Sequence, residues 1–470
     1  MENRMTTKTI QPVKHGPGYK FIWGVASFGT SIIAGIFGAL LPIFYQDYLG
    51  LSARWIAIAS LIYAIWNAIN DPLFGYITDN TRSRFGRRIP YMRFTAPFLA
   101  FTFILVWFAP QKAEQQAIFW WMLISMLLYD TAYTIIGLVY SSLLPEVTES
   151  DSERNDLQIS AALFGLLGTL LGFLIPDFFR PKVGSNIDFL PLQTAMVVVG
   201  IVAALLIIAT TLKVKERPEF TKVDKPISLR KSLKFTFSSK SFLILVGANF
   251  MSILMSSLVT GAIFYLADYV VNISTILLLA CLFVPLFIGV PCTKLFTKRF
   301  GIVGGHQIML VIASIGLLSM MIVPTSLIPV CLALAGFGLA GPQTLTNVLF
   351  AQVADEDETK SGVRREGAFF GVNALITKPA QSIAIALSPF ILQTTNFVTR
   401  EQNGGNIFLN QPESAVLGIK VIAGLVPGIA MALGAIILIW YPLRGERLER
   451  MQNEVLEIHA KKHEMLTNIG

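Results

Sequence analysis

The hydrophobic and polar positions of the chain form a succession of long apolar runs separated by short polar stretches. The runs fall at 21–45, 54–78, 91–109, 118–144, 157–179, 191–212, 241–268, 273–293, 306–323, 327–350, 366–393 and 416–440. Each is near the ~20 residues that a helix needs to cross ~30 Å of hydrocarbon, so the pattern predicts twelve transmembrane helices. The run at 21–45 is too long for the apolar core of a signal peptide and has no small-residue cleavage site, so it counts as the first span. Composition agrees: of 470 residues 54% are hydrophobic and 14% charged, and the mean hydropathy is +0.62. Ordinary soluble domains carry ~25% charged residues. A soluble globular enzyme is excluded.

Charge then sets the orientation. The N-terminus, the stretches 80–90, 145–156, 213–240, 294–305 and 351–365, and the C-terminus together hold 29 Lys and Arg. The alternate loops hold five: Arg54, Lys112, Arg180, Lys182 and Arg400. Cytoplasmic loops carry the basic excess, so both termini are expected in the cytoplasm and the protein in the cell membrane. The net charge of +8 is then a matter of topology, and no nucleic-acid partner is expected. Cys281, Cys292 and Cys331 sit in apolar stretches, with neither disulfide nor structural metal spacing.

Two loops recur. Arg84-Phe85-Gly86 after the second run returns as Arg299-Phe300-Gly301 after the eighth, and the acidic stretch Glu146 to Asp151 returns as Gln352 to Asp357. The repeat predicts two six-helix bundles, 1–212 and 241–440, joined by a cytoplasmic linker 213–240 and followed by a tail 441–470. This resembles the parallel-repeat plan of major facilitator transporters, which bind substrate between their halves. In the tail, Leu448, Met451, Val455 and Ile458 share one face, which predicts an interfacial amphipathic helix. His459 and His463 are expected to face solvent.

Ionisable groups at membrane depth stand out because each costs ~2.5–3.5 kcal/mol at a helix centre on insertion scales. They are Asp71, Asp130 and Lys378. Asn67, Asn70 and Asp71 share a helix face ~10 Å from the inner end of the second run, and Pro72 deprives the Ala68 carbonyl of its usual donor. Such hard oxygens suit Na⁺ or a transferable proton. Asp130, Thr134, Gly137 and Ser141 form a stripe on the fourth run beside Tyr129, Tyr133 and Tyr140. Thr134 is placed to add a hydroxyl to the cation set, and Asp130 to recognise substrate or to neutralise Lys378. Pro379 biases Lys378 away from helical geometry, so a bend is expected there, near the midplane, with Lys378 in a substrate or coupling role. At the inner end of the second run, Gly75-x-x-x-Asp79 with Arg82, Arg84, Arg87 and Arg88 reads as a gate latch.

The run Asn70-Asp71-Pro72 through Thr81-Arg82-Ser83-Arg84-Phe85-Gly86-Arg87 resembles the glycoside-pentoside-hexuronide cation symporters, the melibiose-permease-like branch of the major facilitator superfamily. Thr131-Ala132-Tyr133-Thr134, Leu144-Pro145 and Arg364-Arg365-Glu366-Gly367 leading to Lys378 support it, and the similarity covers nearly the whole chain. The resemblance implies the major facilitator fold and a cation site in which Asn70, Asp71 and Thr134 match. A second family carboxylate falls at Asn67, which leaves the coupling ion as H⁺ or Na⁺. Lys378 matches the lysine of span eleven. The family's galactoside-binding Asp and Trp on span four correspond to Gly137 and Ser141, its span-one Asp to Ser31 and its span-five Arg to Ala162, so a galactoside is not expected.

These readings converge on a cation-coupled symporter that works by alternating access on a small-molecule substrate of sugar or glycoside type, with no cofactor beyond the coupling ion. A monomer in the lipid bilayer is expected. A lysolipid or other amphiphile is the alternative substrate. A non-transporting sensor, or a polytopic membrane enzyme, is the competing class; against the enzyme, the loops are short and the four histidines scattered.

Overall fold

The computed structural model describes residues 14–83, 86–111, 113–179, 189–216, 229–398 and 410–469. Arg84 of the expected gate lies outside the described residues, as do Lys112, Arg180, Lys182, Arg400 and positions 217–228 of the expected linker. The described residues are all-helical: α1 (Pro17–Pro42), α2 (Ala53–Asn80), α3 (Ile89–Trp107), α4 (Gln115–Val147), α5 (Asp151–Phe179), α6 (Leu190–Lys213), α7 (Leu229–Ser238), α8 (Lys240–Tyr265), α9 (Thr275–Ser319), α10 (Ile328–Ser361), α11 (Glu366–Thr394), α12 (Glu413–Lys420), α13 (Val426–Ile437) and α14 (Gly445–Ile469). Ten helices among them are long and apolar enough to cross a membrane. The protein is an integral, multi-pass membrane protein.

Two expected spans, 273–293 and 306–323, are the two helical segments of α9, which meet at a kink. Its 45 residues would run ~68 Å at 1.5 Å per residue, over twice the hydrocarbon thickness. It breaks at Gly301, whose φ of 72° and ψ of 174° belong to a region that side chains with a Cβ avoid. The expected bend at Lys378 is corrected: α11 runs unbroken through Lys378 and Pro379. Proline removes only the bond its own N–H would have made to the Leu375 carbonyl, and the remaining ladder carries the helix past it.

The chain forms two compact units: 1–233 with 351–370 and 443–470, and 234–350 with 371–442. In the first, α1 packs on α5 and α6, α3 on α4 and α6, and α2 on α4. Hydroxyl groups tie these contacts to backbone carbonyls: Tyr140 to Trp23 at 2.7 Å and Thr210 to Ile22 at 2.8 Å. Such bonds hold helices together where lipid tails remove the hydrophobic drive. Along α2, Leu61, Ile65 and Ile69 are exposed at four-residue spacing, whereas Asn70 and Asp71 are buried on the other side. In the second unit, α8 and α9 pack on α13. Asn249 there donates to Asn373 of α11 at 2.9 Å, Gln307 to the Ala435 carbonyl at 3.0 Å and Ser314 to the Gly428 carbonyl at 2.8 Å.

Candidate functional site

The polar residues of α2 and α4 meet inside the first unit. Asp130 is buried, and its carboxylate accepts from α2: Oδ1 from the Tyr63 hydroxyl at 3.0 Å and Oδ2 from the Asn70 amide at 3.0 Å. Trp66 donates to Thr131 at 3.0 Å beside this pair. Asn70 and Asp71 are buried, as is Thr134, one turn along α4 from Asp130. Asn67 lies on the same α2 face at partial burial. Tyr63 was not singled out by sequence; its signal was its position two turns before Asn70 on one helix face. Tyr129 packs against Phe37, with ring centroids 4.2 Å apart, and Tyr133 stacks on Tyr129 at 5.8 Å. A Cβ built on Gly137 would meet nothing within 4 Å, so α4 opens onto free space at that position, one turn before Ser141. Lys378 lies in the second unit and is half-buried.

A second polar assembly occupies the end of the first unit where α2 stops. Gly75 and Gly367 touch backbone to backbone, so closely that a Cβ on either would overlap the other's carbonyl. The approach lets Asp79 accept from the backbone N–H groups of Gly367 and Ala368 at 3.1 and 2.8 Å, at the start of α11. A carboxylate there satisfies orphan donors and faces the positive end of the helix dipole. Asp79 also pairs with Arg88 at 2.9 Å. Arg87 is fully buried, bonded to Glu146 and, at 2.9 Å, to Glu366. Burial alone would lower its basicity, but Glu146, Glu366 and Asp79 hold it above the ordinary arginine value, so it stays charged. Arg88 reaches Glu366 at 2.6 Å. Arg82 instead bonds the Asp79 and Thr81 carbonyls, both at 2.9 Å, as a cation at a helix C-terminus. Of the expected gate set, Asp79, Arg87 and Arg88 thus enter the buried cluster, and Arg82 caps its rim.

The two acidic stretches of the repeat join the same assembly. Arg154 pairs with Asp355 at 2.6 Å, and Gln352 bonds Asp151. Arg364, fully buried, bridges Glu358 at 2.7 Å, Asp355 at 3.1 Å and Glu366. Glu216, a residue sequence reasoning passed over in a basic stretch, accepts from the N–H groups of Arg87 and Arg88, both at 2.8 Å, and of Ile89, where α3 begins. Burial and the neighbouring Glu146 raise its pKa above the ordinary carboxylate value against the pull of these three donors. Gly86, at φ 107°, brings the backbone so near Glu216 that a Cβ would collide with the carboxylate.

The tail helix α14 lies on this assembly with a face that keeps Met451 and Val455 of the expected stripe and adds His459 and Lys462. Met451, Val455, His459 and Lys462 are buried, and His463 is exposed. The solvent-facing expectation for His459 is therefore corrected. Its Nδ1 lies 3.0 Å from Glu149, and its Nε2 2.9 Å from Glu358 and 2.9 Å from Arg364. Lys462 reaches Glu358 at 2.8 Å, Arg447 reaches Glu356 at 3.1 Å and Gln452 reaches Asp151 at 2.9 Å. The helical period was legible, but the buried stripe is turned toward polar groups because the surface beneath α14 is carboxylates.

Residues 22–445 match the family of MFS/sugar transport proteins. The chain belongs to that family. It is 25% identical to the putative glycoside/cation symporter YagG of Escherichia coli (strain K12), over 94% of this chain and 93% of the relative. It is 23% identical to the sodium-dependent lysophosphatidylcholine symporter 1 of Gallus gallus, over 91% of this chain and 86% of the relative. The major facilitator proton:xylose symporter XylE, at 14% identity, has the same fold with a TM-score of 0.64, over 94% of this chain and 99% of XylE.

Within this MFS/sugar transport fold the buried cluster makes two testable demands. Removing one partner of a buried ion pair costs about 3–5 kcal/mol. Asp79→Ala should therefore lower the thermal midpoint of the detergent-solubilised protein by several degrees; an unchanged midpoint would show that the cluster carries no stability. The second demand concerns pH. Burial acts to lower the His459 pKa, and Arg364 also opposes its charge, but Glu149 and Glu358 outweigh both and the net shift is upward. The charged imidazole thus stabilises the docked tail fully below the ordinary histidine value of ~6.5, and the contribution is lost as pH rises through the raised value. Hydrogen exchange across 451–463 should accelerate as pH is raised through that window, after correction for intrinsic exchange, and His459→Gln should abolish the step.

Proposed function

We propose that the protein is a cation-coupled secondary symporter, moving a small organic solute of the sugar or glycoside class across the cell membrane by alternating access. The observation that carries this reading is the buried polar set on α2 and α4, with Asp71, Asn70, Asp130 and Thr134 inside a membrane-embedded unit. Each ionisable group there opposes insertion by ~2.5–3.5 kcal/mol, which a transport site offsets by binding a cation. Family membership and the glycoside/cation symporter relative support the same reading.

In this reading Asp71, with Asn70, Asn67 and Thr134, holds H⁺ or Na⁺. Lys378 and Asp130 link its occupancy to substrate, with Tyr133, Gly137 and Ser141 along the path. Twelve spans are reached when α9 counts as two crossings, broken at Gly301, and α11 as one. Both termini face the cytoplasm in this reading, so the ion cluster around Arg87 is the inner gate. The two six-helix halves rock about the site, and the monomer is the working unit.

A lysolipid substrate is the second reading. The open face at Gly137 and the lysophosphatidylcholine symporter among the relatives favour it. Proteoliposome uptake of labelled sugars, hexuronates and lysolipids, under separate Na⁺ and pH gradients, decides between the two. With the substrate so identified, Asp71→Asn should reduce gradient-driven accumulation by roughly tenfold or more, about 1.4 kcal/mol of coupling, while substrate exchange at equal ion concentrations persists. Full accumulation by that variant would refute the cation assignment.

A further inference from the structure

Asn70 is fully buried, yet its two amide atoms are treated differently. Its Nδ2 donates to Asp130 at 3.0 Å, whereas its Oδ1 is buried and accepts no hydrogen bond among the described residues. A buried acceptor left unmade is destabilising, and such a group in a native core calls for an explanation, a bound ion among them. The amide's orientation is not free. An ionised carboxylate only accepts, so Asn70 can meet Asp130 Oδ2 only through its nitrogen, and its oxygen must point the other way. Tyr63 occupies Oδ1 of Asp130 with its own hydroxyl, which pins the carboxylate against rotation.

We propose that Asp130 is a positioning residue: accepting from Asn70 Nδ2 and held by Tyr63, it turns the carbonyl oxygen of Asn70 into the polar set around Asp71 as a ligand for the coupled cation. This rests on the symporter reading above and adds to it a residue that acts through another. The same oxygen serves a Na⁺ ion directly or accepts from a protonated Asp71, so both ions are probed.

The experiment is a titration of the purified full-length protein in nanodiscs, followed by intrinsic tryptophan fluorescence, since Trp66 lies beside the pair. One arm varies Na⁺ at fixed pH, the other varies pH without Na⁺. Asp71→Asn identifies the arm in which the response belongs to the site. In that arm Asp130→Asn should weaken half-saturation by about tenfold, because residue 130 no longer dictates which end of the Asn70 amide it meets. The paired exchange Asn70→Asp with Asp130→Asn should restore it to within about threefold, since the carboxylate at 70 offers an oxygen in either orientation. Tyr63→Phe should shift it by less than about threefold, because Asn70 keeps its carboxylate. A half-saturation unmoved by Asp130→Asn overturns the proposal, as does a paired exchange that folds but does not restore binding. A Tyr63→Phe effect as large as that of Asp130→Asn overturns the route through Asn70. If Asp130→Asn does not fold, the paired exchange and Tyr63→Phe decide by the same criteria. A wild-type protein with no Asp71-dependent response in either arm instead overturns the cation reading, and this inference with it.

Discussion

Everything in the first unit is organised by the need to neutralise guanidinium groups that have no access to water. Arg87, Arg88, Arg154 and Arg364 are among its largest fully buried side chains. A buried charge with no partner costs several kcal/mol after relaxation, so each must find carboxylates in fixed geometry. Glu146 and Glu366 grip Arg87 between them, and Glu366 is shared with Arg88 and Arg364. The planar fork of arginine presents several donors at once, which is why one carboxylate can serve three cations without leaving any of them bare. Helix ends, loops and tail are thereby drawn to one place: α2 through Asp79, α3 through Glu216, α4 through Glu146, α10 through Asp355 and Glu358, and α14 through His459.

The set on α2 and α4 is held by fewer charges. At the loop end each buried guanidinium has a carboxylate partner, although Arg88 Nη1 and Glu146 Oε2 make no hydrogen bond among the described residues. Inside the helices Asn70 Oδ1 also accepts none, although Asp130 beside it accepts on both oxygens. A structural hydrogen-bond network is stable in proportion to how completely it closes. One left open at an oriented acceptor has given up stability at that spot.

Much of this was legible in the sequence, and the boundary of legibility has a physical origin. Apolar runs report burial in lipid residue by residue, so the helices appear where the runs predicted them. Asp71, Asp130 and the Asp79 latch were visible because an ionisable group at membrane depth is anomalous by itself. Tyr63, Glu216 and His459 were not, since each is ordinary in its own neighbourhood. Tyr63 sits in an apolar helix, Glu216 among lysines and His459 on a charged tail. Their roles arise from partners 67, 127–129 and 101–310 positions away in the chain. The runs 273–293 and 306–323 are two helical segments that meet at Gly301, as their polar separation implies. The break expected at Pro379 is absent, because a single proline removes too few bonds to end a helix.

On α4 the ion pairs and the Asp130 bonds lie apart from the open stretch at Gly137. The positions where this chain departs from the sugar-binding pattern it resembles, Gly137 and Ser141, carry no charge. Gly137 opens onto free space rather than into the network. The groups that would bind the cation are fixed instead by bonds from α2 to α4 at Asp130, one to two turns before Gly137 along α4. Changing the side chains along that open face alters what fits there without disturbing the Tyr63–Asp130–Asn70 chain. In the proposed reading, such an arrangement lets the solute change, a glycoside for an amphiphile, while the cation set stays the same, which suits a family whose relatives include a glycoside/cation symporter and a lysophosphatidylcholine symporter.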